Sequence, residues 1–251
     1  QQAAFVGVRS TFYRVAMITG QGLLVVLAGT IETESGGRIA FAWAVTFGIL
    51  AAMFLAFCLY HKFALPRPLS DHSVRTGNPL KQFFEVFARF FRKKDILAIL
   101  AFLLLYRFAE SQLVKLISPF LLDGREKGGL GLSTSEVGIV YGTVGILALT
   151  LGGLLGGYVV SRQGLRFWLW PMVLAIHLPD LMFVYLSHAQ PENFILINAA
   201  VAIEQFGYGF GFTAYMLFMI MVSAGEHKTA HFALCTGFMA LGMMLPGMAS
   251  G

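Results

Sequence analysis

The chain has 251 residues, of which 57% are hydrophobic and only 12% are charged. Soluble globular domains average about 45–50% apolar and about 25% charged residues, so this composition excludes an ordinary soluble protein. The net charge of +5 does not require a nucleic-acid partner, because the cytoplasmic loops of membrane proteins are rich in Lys and Arg. We therefore predict an all-α, polytopic helical membrane protein that is embedded in a lipid bilayer.

The apolar residues fall in seven runs of membrane-spanning length. A hydrocarbon core of about 30 Å is crossed by about 20 helical residues. In chain order, the predicted spans cover residues 15–31, 39–60, 96–120, 137–160, 167–186, 194–222 and 232 onward. Because the chain starts without Met and stops inside an apolar run, we expect a piece of a longer protein.

The longest hydrophilic stretch, residues 61–95, contains aromatic residues at helical spacing. On another face of that helix, Glu85 and Arg89 are four residues apart and can pair. This pattern predicts an amphipathic helix that lies at the membrane surface, with its basic residues near anionic headgroups. The alternative is a solvated linker. The aromatic residues that favour the helix are Phe83, Phe84, Phe87, Phe90 and Phe91.

The distribution of basic residues orients the chain. Thirteen of the 18 Lys and Arg residues fall on the side of the 61–95 loop, three fall on the opposite side, and two lie inside a span. Basic loops stay in the cytoplasm, so we predict that residues 61–95 are cytoplasmic.

The fourth span is rich in glycine. Glycines four residues apart on one helix face let another helix approach closely. This spacing occurs in two pairs, Gly138/Gly142 and Gly152/Gly156.

Three charged residues interrupt the third span: Arg107, Glu110 and Lys115. A charge at the centre of a membrane helix costs roughly 2.5–3.5 kcal/mol on the mildest scales, so it usually faces a bundle interior or a water-filled cavity. Arg107 and Glu110 are three apart and can pair. In one interpretation Glu110 couples protons and Arg107 holds an anionic substrate; in the other, the pair is static and fixes helix packing. Lys115 is a gate or simply extends to the outer surface.

The sixth span carries Glu204 and Gln205 beside a glycine-interrupted stretch, residues 207–211. This pattern predicts a flexible, polar-lined segment whose Tyr208 and Tyr215 rings can stack on a sugar. Close helix packing around one satisfied carboxylate is the alternative.

In the fifth span, His177 and Asp180 are three residues apart and flank Pro179. A proline inside a helix frees a backbone carbonyl and kinks the helix. The polar pair is therefore either a proton relay or a cap for the kink.

No His or Cys cluster has metal-ligand spacing, and no phosphate-binding Walker loop is present. Cys58 and Cys235 stand singly in apolar runs. We therefore predict no cofactor, no metal and no catalytic residues, and we do not expect an enzyme.

The link after the fourth span resembles the cytoplasmic signature of the major facilitator superfamily, G-x-x-x-D-R-x-G-R-R. Gly157, Arg162, Gly164 and Arg166 match, whereas Ser161 stands where the family usually has Asp. In that family this loop gates the cytoplasmic side, so the resemblance implies a gating role for these five residues. The glycines would permit close helix contact and a tight turn, and the absent Asp removes the family's usual latch.

Three stretches are similar to the AmpG-type muropeptide permeases within that superfamily. They read YRVAMITGQG, YRFAESQLVKLISPFLLD and EHKTAHFALCTGFMALGMMLPGMASG. The resemblance implies two helical bundles around a midplane substrate site. Residues 1–60 would be the last two helices of the first bundle, residues 61–95 the cytoplasmic linker, and residues 96–251 most of the second bundle.

The resemblance further implies a proton-coupled symporter in the inner membrane that imports a cell-wall-derived amino sugar–peptide, an anhydromuropeptide. Its partners would be the small-molecule substrate and protons, and we expect a monomer. One alternative is transport of another organic anion or of an acetyl-CoA-like thioester. A seven-helix receptor or an integral membrane enzyme is a different alternative, disfavoured by the signature loop and by the lack of a nucleophile–base constellation.

Overall fold

The structure is a computed structural model that describes residues 13, 15–65 and 79–248. Across those residues every regular element is helical, which confirms the all-α prediction. We number the helices α1 Val15–Glu34, α2 Ile39–Ala64, α3 Pro79–Phe91, α4 Ile96–Leu122, α5 Thr134–Gln163, α6 Leu165–Ala189, α7 Phe194–Ser223 and α8 Lys228–Met248.

Seven of these helices, all except α3, are long and apolar enough to cross a membrane, and they coincide with the seven predicted spans. The chain is therefore a multi-pass membrane protein. We call the end of the bundle that carries α3 the linker side. The opposite end, with the loops 123–133 and 190–193, is the far side. There Arg125 joins the two loops by donating hydrogen bonds to the carbonyls of Gln190 and Pro191.

The helix α3 is the one predicted from the aromatic spacing; residues 66–78 of the same loop lie outside the described residues. It packs on the start of α8, because Phe90 is fully buried and stacks 6.1 Å from the Phe238 ring. Beside it, Arg89 pairs with Glu226 at 2.8 Å. Phe83 and Phe84 remain exposed, and their placement at a membrane surface stays a prediction.

Four of the spanning helices contain short irregular segments. A π-helical turn occurs in α1 at Ile18–Leu23 and in α5 at Val140–Gly145. A 3₁₀ turn occurs in α6 at Leu178–Asp180, where Pro179 predicts a kink. The helix α4 stops at Leu105 and restarts at Phe108. The third predicted span is therefore confirmed as one membrane-crossing segment, and the interruption at residues 106–107 inside it was not predicted.

The helix α7 is the most buried of the seven spans, and its glycines explain why. A Cβ atom on Gly211 would lie 2.5 Å from the Met172 carbonyl oxygen of α6. A Cβ atom on Gly207 would similarly clash with the Ala175 carbonyl of α6, and a Cβ atom on Gly209 would clash with the Leu149 carbonyl of α5. The prediction of a flexible segment at 207–211 is wrong, because the helix is continuous and these glycines seat the neighbouring backbones against it.

The two glycine pairs of α5 contact two different helices. A Cβ on Gly138 would lie 2.9 Å from the Val26 backbone nitrogen, and Gly142 also meets α1 at Gln21. A Cβ on Gly156 would lie 2.9 Å from the Phe210 carbonyl oxygen, and Gly152 meets the same helix at Phe206. The predicted close contacts are confirmed, and they hold α5 between α1 and α7.

Candidate functional site

The break in α4 places Arg107 at the N-terminus of its second half, with φ −108° and ψ 21° instead of helical values. In an unbroken helix the Leu103 carbonyl would accept the Arg107 N–H. Here it accepts a hydrogen bond from the Tyr215 hydroxyl of α7 at 2.6 Å. The Tyr106 hydroxyl donates to the Gly211 carbonyl at 2.9 Å. Two tyrosine hydroxyls thus tie the broken turn to α7.

Arg107 and Glu110 form the predicted ion pair, with two parallel hydrogen bonds. Arg107 Nε lies 3.0 Å from Glu110 Oε2, and Arg107 Nη2 lies 2.9 Å from Glu110 Oε1. Arg107 is 9% exposed and Glu110 is 3% exposed. Bidentate geometry of this kind is stronger and more directional than a single contact.

Aromatic side chains of α7 cover the other faces of the Arg107 guanidinium. Arg107 Nη2 donates to the Tyr208 hydroxyl at 2.6 Å. The guanidinium carbon lies 5.3 Å from the Tyr208 ring centroid and 4.9 Å from that of Phe212, both within cation–π range. Phe212 is absent from the sequence-based site. Its position four residues after Tyr208, on the same helix face, is the signal that could have found it.

Arg107 and Tyr208 line a cavity of about 590 Å³ in the linker-side half of the bundle. Most of its wall is apolar or aromatic. Ligand sites typically combine such walls with a few polar anchors, and Arg107 is the charged side chain among those lining this cavity. The other lining residues are Tyr13, Met17, Leu149, Gly153, Gly209, Phe212, Thr213, Met216 and Leu217.

Glu204 and Gln205 are buried one turn further toward the far side. Gln205 Nε2 donates to Glu204 Oε2 at 3.0 Å, and both residues are at most 5% exposed. Tyr141, in the π-helical turn of α5, faces this pair. Sequence reasoning missed Tyr141; a polar aromatic residue inside a glycine-rich span is the signal that could have found it.

His177 and Asp180 lie where α6 is kinked. The His177 ring centroid is 6.3 Å from that of Tyr106, beside the break in α4. Both carboxylate oxygens of Asp180 and His177 Nδ1 are buried without a hydrogen-bond partner among the described residues. Asp180 and Glu204 each lie within electrostatic range of Glu110. The kink therefore brings the carboxyl groups of Asp180 and Glu204 into the surroundings of Glu110, which is paired with Arg107.

Two predicted residues lie outside this cluster. Lys115 is exposed beside Gly247 of α8, where a Cβ would lie 3.2 Å from Lys115 Cε. Tyr215 is fully buried and supports the break instead of lining the cavity. The structure thus places Lys115 away from Arg107 and gives Tyr215 a packing position.

The five residues of the predicted gating motif are exposed near the linker-side junction of α5 and α6. Gly157, Ser161 and Arg162 lie in the last turns of α5, Gly164 lies between the helices, and Arg166 lies in the first turn of α6. Gly164 has φ +82° and makes the tight turn. The Ser161 hydroxyl donates to the Tyr158 carbonyl at 2.6 Å, and Arg162 lies over the Tyr158 ring, while Arg166 is exposed. The expected close helix contact at Gly157 is wrong for the described residues. A Cβ there would meet nothing within 4 Å, because the helix turns Gly156 and not Gly157 toward α7.

No group of three or more His, Cys, Asp or Glu side chains in the described part of the chain is arranged to hold a metal ion. The polar cluster contains the Arg107 guanidinium and the carboxyl groups of Glu110, Asp180 and Glu204. It can bind an anion at Arg107, and it can hold protons on carboxyl groups that have no cation of their own.

The sequence matches the family described as Major Facilitator Superfamily over residues 1–249. Among curated proteins, a relative named transporter AmpG 4 in Rickettsia felis is 25% identical over 91% of this chain and 52% of its own length. A relative named transporter AmpG 2 in Rickettsia typhi is 26% identical over 73% of this chain and 43% of its own length.

A third relative, named anhydromuropeptide permease, comes from Escherichia coli K12 and is 24% identical over 95% of this chain and 45% of its own length. The chain thus spans about half the length of the curated relatives it matches. No solved structure matches it.

Proposed function

The chain belongs to the Major Facilitator Superfamily, and from that premise we propose that it works as a proton-coupled symporter for an anhydromuropeptide. The family and the relatives are transporters, so the protein is a transporter and not an enzyme. The observation that carries the proposal is the buried Arg107–Glu110 pair, of which Arg107 lines the linker-side cavity. Transporters of this kind hold their substrate near the membrane midplane.

The substrate contact is assigned to Arg107 and its aromatic neighbours. An anhydromuropeptide carries peptide carboxylates and pyranose rings. A guanidinium binds a carboxylate through two hydrogen bonds, and the rings of Tyr208 and Phe212 beside it offer flat faces to a sugar. The name of the Escherichia coli relative, anhydromuropeptide permease, supports this substrate class.

Proton coupling is assigned to Glu110. While Glu110 is ionised, both of its oxygens occupy the guanidinium of Arg107. Protonation removes the negative charge of Glu110 and releases Arg107 to bind a substrate carboxylate. Proton and substrate therefore bind together, which is the thermodynamic requirement for symport.

We assign the linker side to the cytoplasm, in an inner membrane, on the basis of the Lys and Arg distribution. In this assignment α1 and α2 end the first bundle, and α4 to α8 belong to the second. The tight glycine contacts between α1 and α5 then lie between bundles. The turn with Arg162 and Gly164 lies at the cytoplasmic end of α5, where it would gate that side.

The proposal is tested by binding of labelled anhydromuropeptide to the purified full-length protein. The variant Arg107→Gln/Glu110→Gln removes both charges and leaves no buried charge unpaired. Loss of a buried charged contact costs about 2–5 kcal/mol, so we expect Kd to rise at least thirtyfold, or roughly 2 kcal/mol.

Lys115→Gln is the control for that binding experiment, since Lys115 lies outside the cluster; we expect wild-type affinity. Binding of a labelled acetyl-CoA-like thioester, with no binding of labelled anhydromuropeptide, would favour the alternative cargo. Wild-type affinity in the double variant would remove Arg107 from the substrate site.

A further inference from the structure

The proton-coupling assignment leaves open how a proton reaches Glu110. Glu110 is 3% exposed and lines neither the linker-side cavity nor the far-side cleft described next. A proton that enters through the far-side cleft therefore meets another group before Glu110. The carboxyl group that fits this role is Asp180.

Asp180 lines a cleft of about 370 Å³ between α4 and α6. The other lining residues run toward the far-side ends of both helices; they are Ala109, Leu113, Leu116, Ile117, Phe120, Phe183, Val184 and Ser187. The linker-side cavity ends at Arg107. The two spaces thus approach the polar cluster from opposite ends of the bundle, one at Arg107 and one at Asp180, whose carboxylate oxygens are themselves buried.

The carboxylate oxygens of Asp180 find no hydrogen-bond partner among the described residues. The charged and titratable groups around it are Glu110 from α4, His177 from its own helix and Glu204 from α7. Arg107 is the cation of this cluster, and Glu110 already occupies it in two hydrogen bonds. A buried carboxyl group without a cation is stable when it carries a proton, so the geometry favours Asp180 as a proton carrier.

We propose that Asp180 is the entry site for the coupling proton, which reaches it through the far-side cleft and not through the substrate cavity. This inference rests on the proposed symport. The Asp180 carboxylate takes a proton from a hydronium ion that enters through the cleft. An O–H bond of hydronium breaks, a carboxylic O–H bond forms on Asp180, and a water molecule is left. That bond then breaks as an O–H bond forms on Glu110, directly or through one water molecule. Asp180 returns to its carboxylate, and Arg107 is released from Glu110.

The first test separates coupling from substrate movement in vesicles that contain the full-length protein. We expect Asp180→Asn to lose stimulation of labelled anhydromuropeptide uptake by a proton gradient. Exchange of labelled for unlabelled substrate should continue after long equilibration at one acidic pH on both sides, because Glu110 is then already protonated and keeps its proton during exchange. Asp180→Glu should restore gradient stimulation in part. Retained stimulation in Asp180→Asn, or loss of exchange together with stimulation, would overturn the inference.

The wild-type protein distinguishes this inference from the function on which it rests. If wild-type uptake ignores the gradient, the proposed symport fails. If wild-type uptake is stimulated and Asp180→Asn is stimulated equally, the symport stands and the role of Asp180 fails.

The second test asks whether water reaches the cleft. Cys58 and Cys235 are first replaced, and Ala109→Cys is introduced at the cleft wall. A membrane-impermeant, water-dependent thiol reagent applied from the far side should label it. Leu105→Cys, on an exposed part of α4 outside the cleft, is the matched control and should not react. No reaction at position 109 from the far side would mean that lipid fills the cleft, and would contradict the entry route.

Discussion

Two arginine–glutamate groups in this molecule have the same chemistry in opposite surroundings. Arg107 pairs with Glu110 at 2.9 Å, with side chains that are 10% and 4% exposed. Arg89 pairs with Glu85 at 3.1 Å and with Glu226 at 2.8 Å, with side chains that are 47%, 51% and 75% exposed. The distances are similar, so the difference between the two groups lies in burial.

Burial changes what each pair can do. The hydrogen bonds from Arg89 to Glu85 and Glu226 raise the pKa of Arg89 above its ordinary value, but water and salt screen an exposed pair. In the buried pair, loss of one partner leaves an uncompensated charge, whereas loss of both is often tolerated. Protonation of Glu110 therefore changes the local electrostatic energy more than protonation of Glu85 or Glu226 does. The proposed proton coupling at Glu110 requires a change of this kind.

The largest expected effect is on the buried pair. Arg107→Ala leaves Glu110 buried without its cation, so we expect the free energy of unfolding to fall by about 3–5 kcal/mol. The measurement is the thermal midpoint of the full-length protein in detergent. Arg107→Gln/Glu110→Gln should recover most of the midpoint. If the double variant is as unstable as Arg107→Ala, the pair is structural and the contrast in burial explains less than we infer.

An intermediate effect is expected at the broken turn of α4. Tyr215→Phe removes the hydroxyl that satisfies the Leu103 carbonyl. An unsatisfied buried carbonyl costs about 1–3 kcal/mol, so the thermal midpoint should fall less than in Arg107→Ala. Tyr158→Phe, at an exposed ring of α5, is the matched control and should match the wild type. Equal midpoints for the two variants would contradict the support of the break by α7.

The smallest effect is expected on α3. Glu226→Gln makes the same chemical change as Glu110→Gln but at an exposed pair. We expect a midpoint within error of the wild type at physiological salt, because exposed pairs contribute little. A large loss of stability that high salt reduces would show that α3 is held on α8 by charge instead of by the packing of Phe90.

The features that could be predicted from the sequence are those set by residues close to one another in the chain. Hydropathy located the seven spans, aromatic spacing located α3, and the three-residue separation predicted the pairing of Arg107 with Glu110. The break in α4 was not predictable in this way. It depends on a hydroxyl 112 residues further along the chain, and the Ile96–Leu105 segment by itself is a strongly apolar helix.

Contacts between residues far apart in the chain also explain why the predictions for residues 207–211 of α7 and for Gly157 were wrong. The glycines of α7 are contact points because of carbonyls on α5 and α6, and their own spacing does not specify which backbone they meet. Gly156 and Gly157 are neighbours in a glycine-rich run, so only the packing of α5 on α7 decides which one makes a contact. Tyr141 joins the cluster through the π-helical turn of α5, which changes the face that a residue presents.

Uptake of labelled anhydromuropeptide into vesicles, with and without a proton gradient, tests the central account most directly. The proteins to compare are the full-length wild type, Glu110→Gln and the matched exposed variant Glu226→Gln. We predict that the gradient drives accumulation in the wild type and in Glu226→Gln and has no effect in Glu110→Gln. Full gradient-driven accumulation in Glu110→Gln would contradict the account.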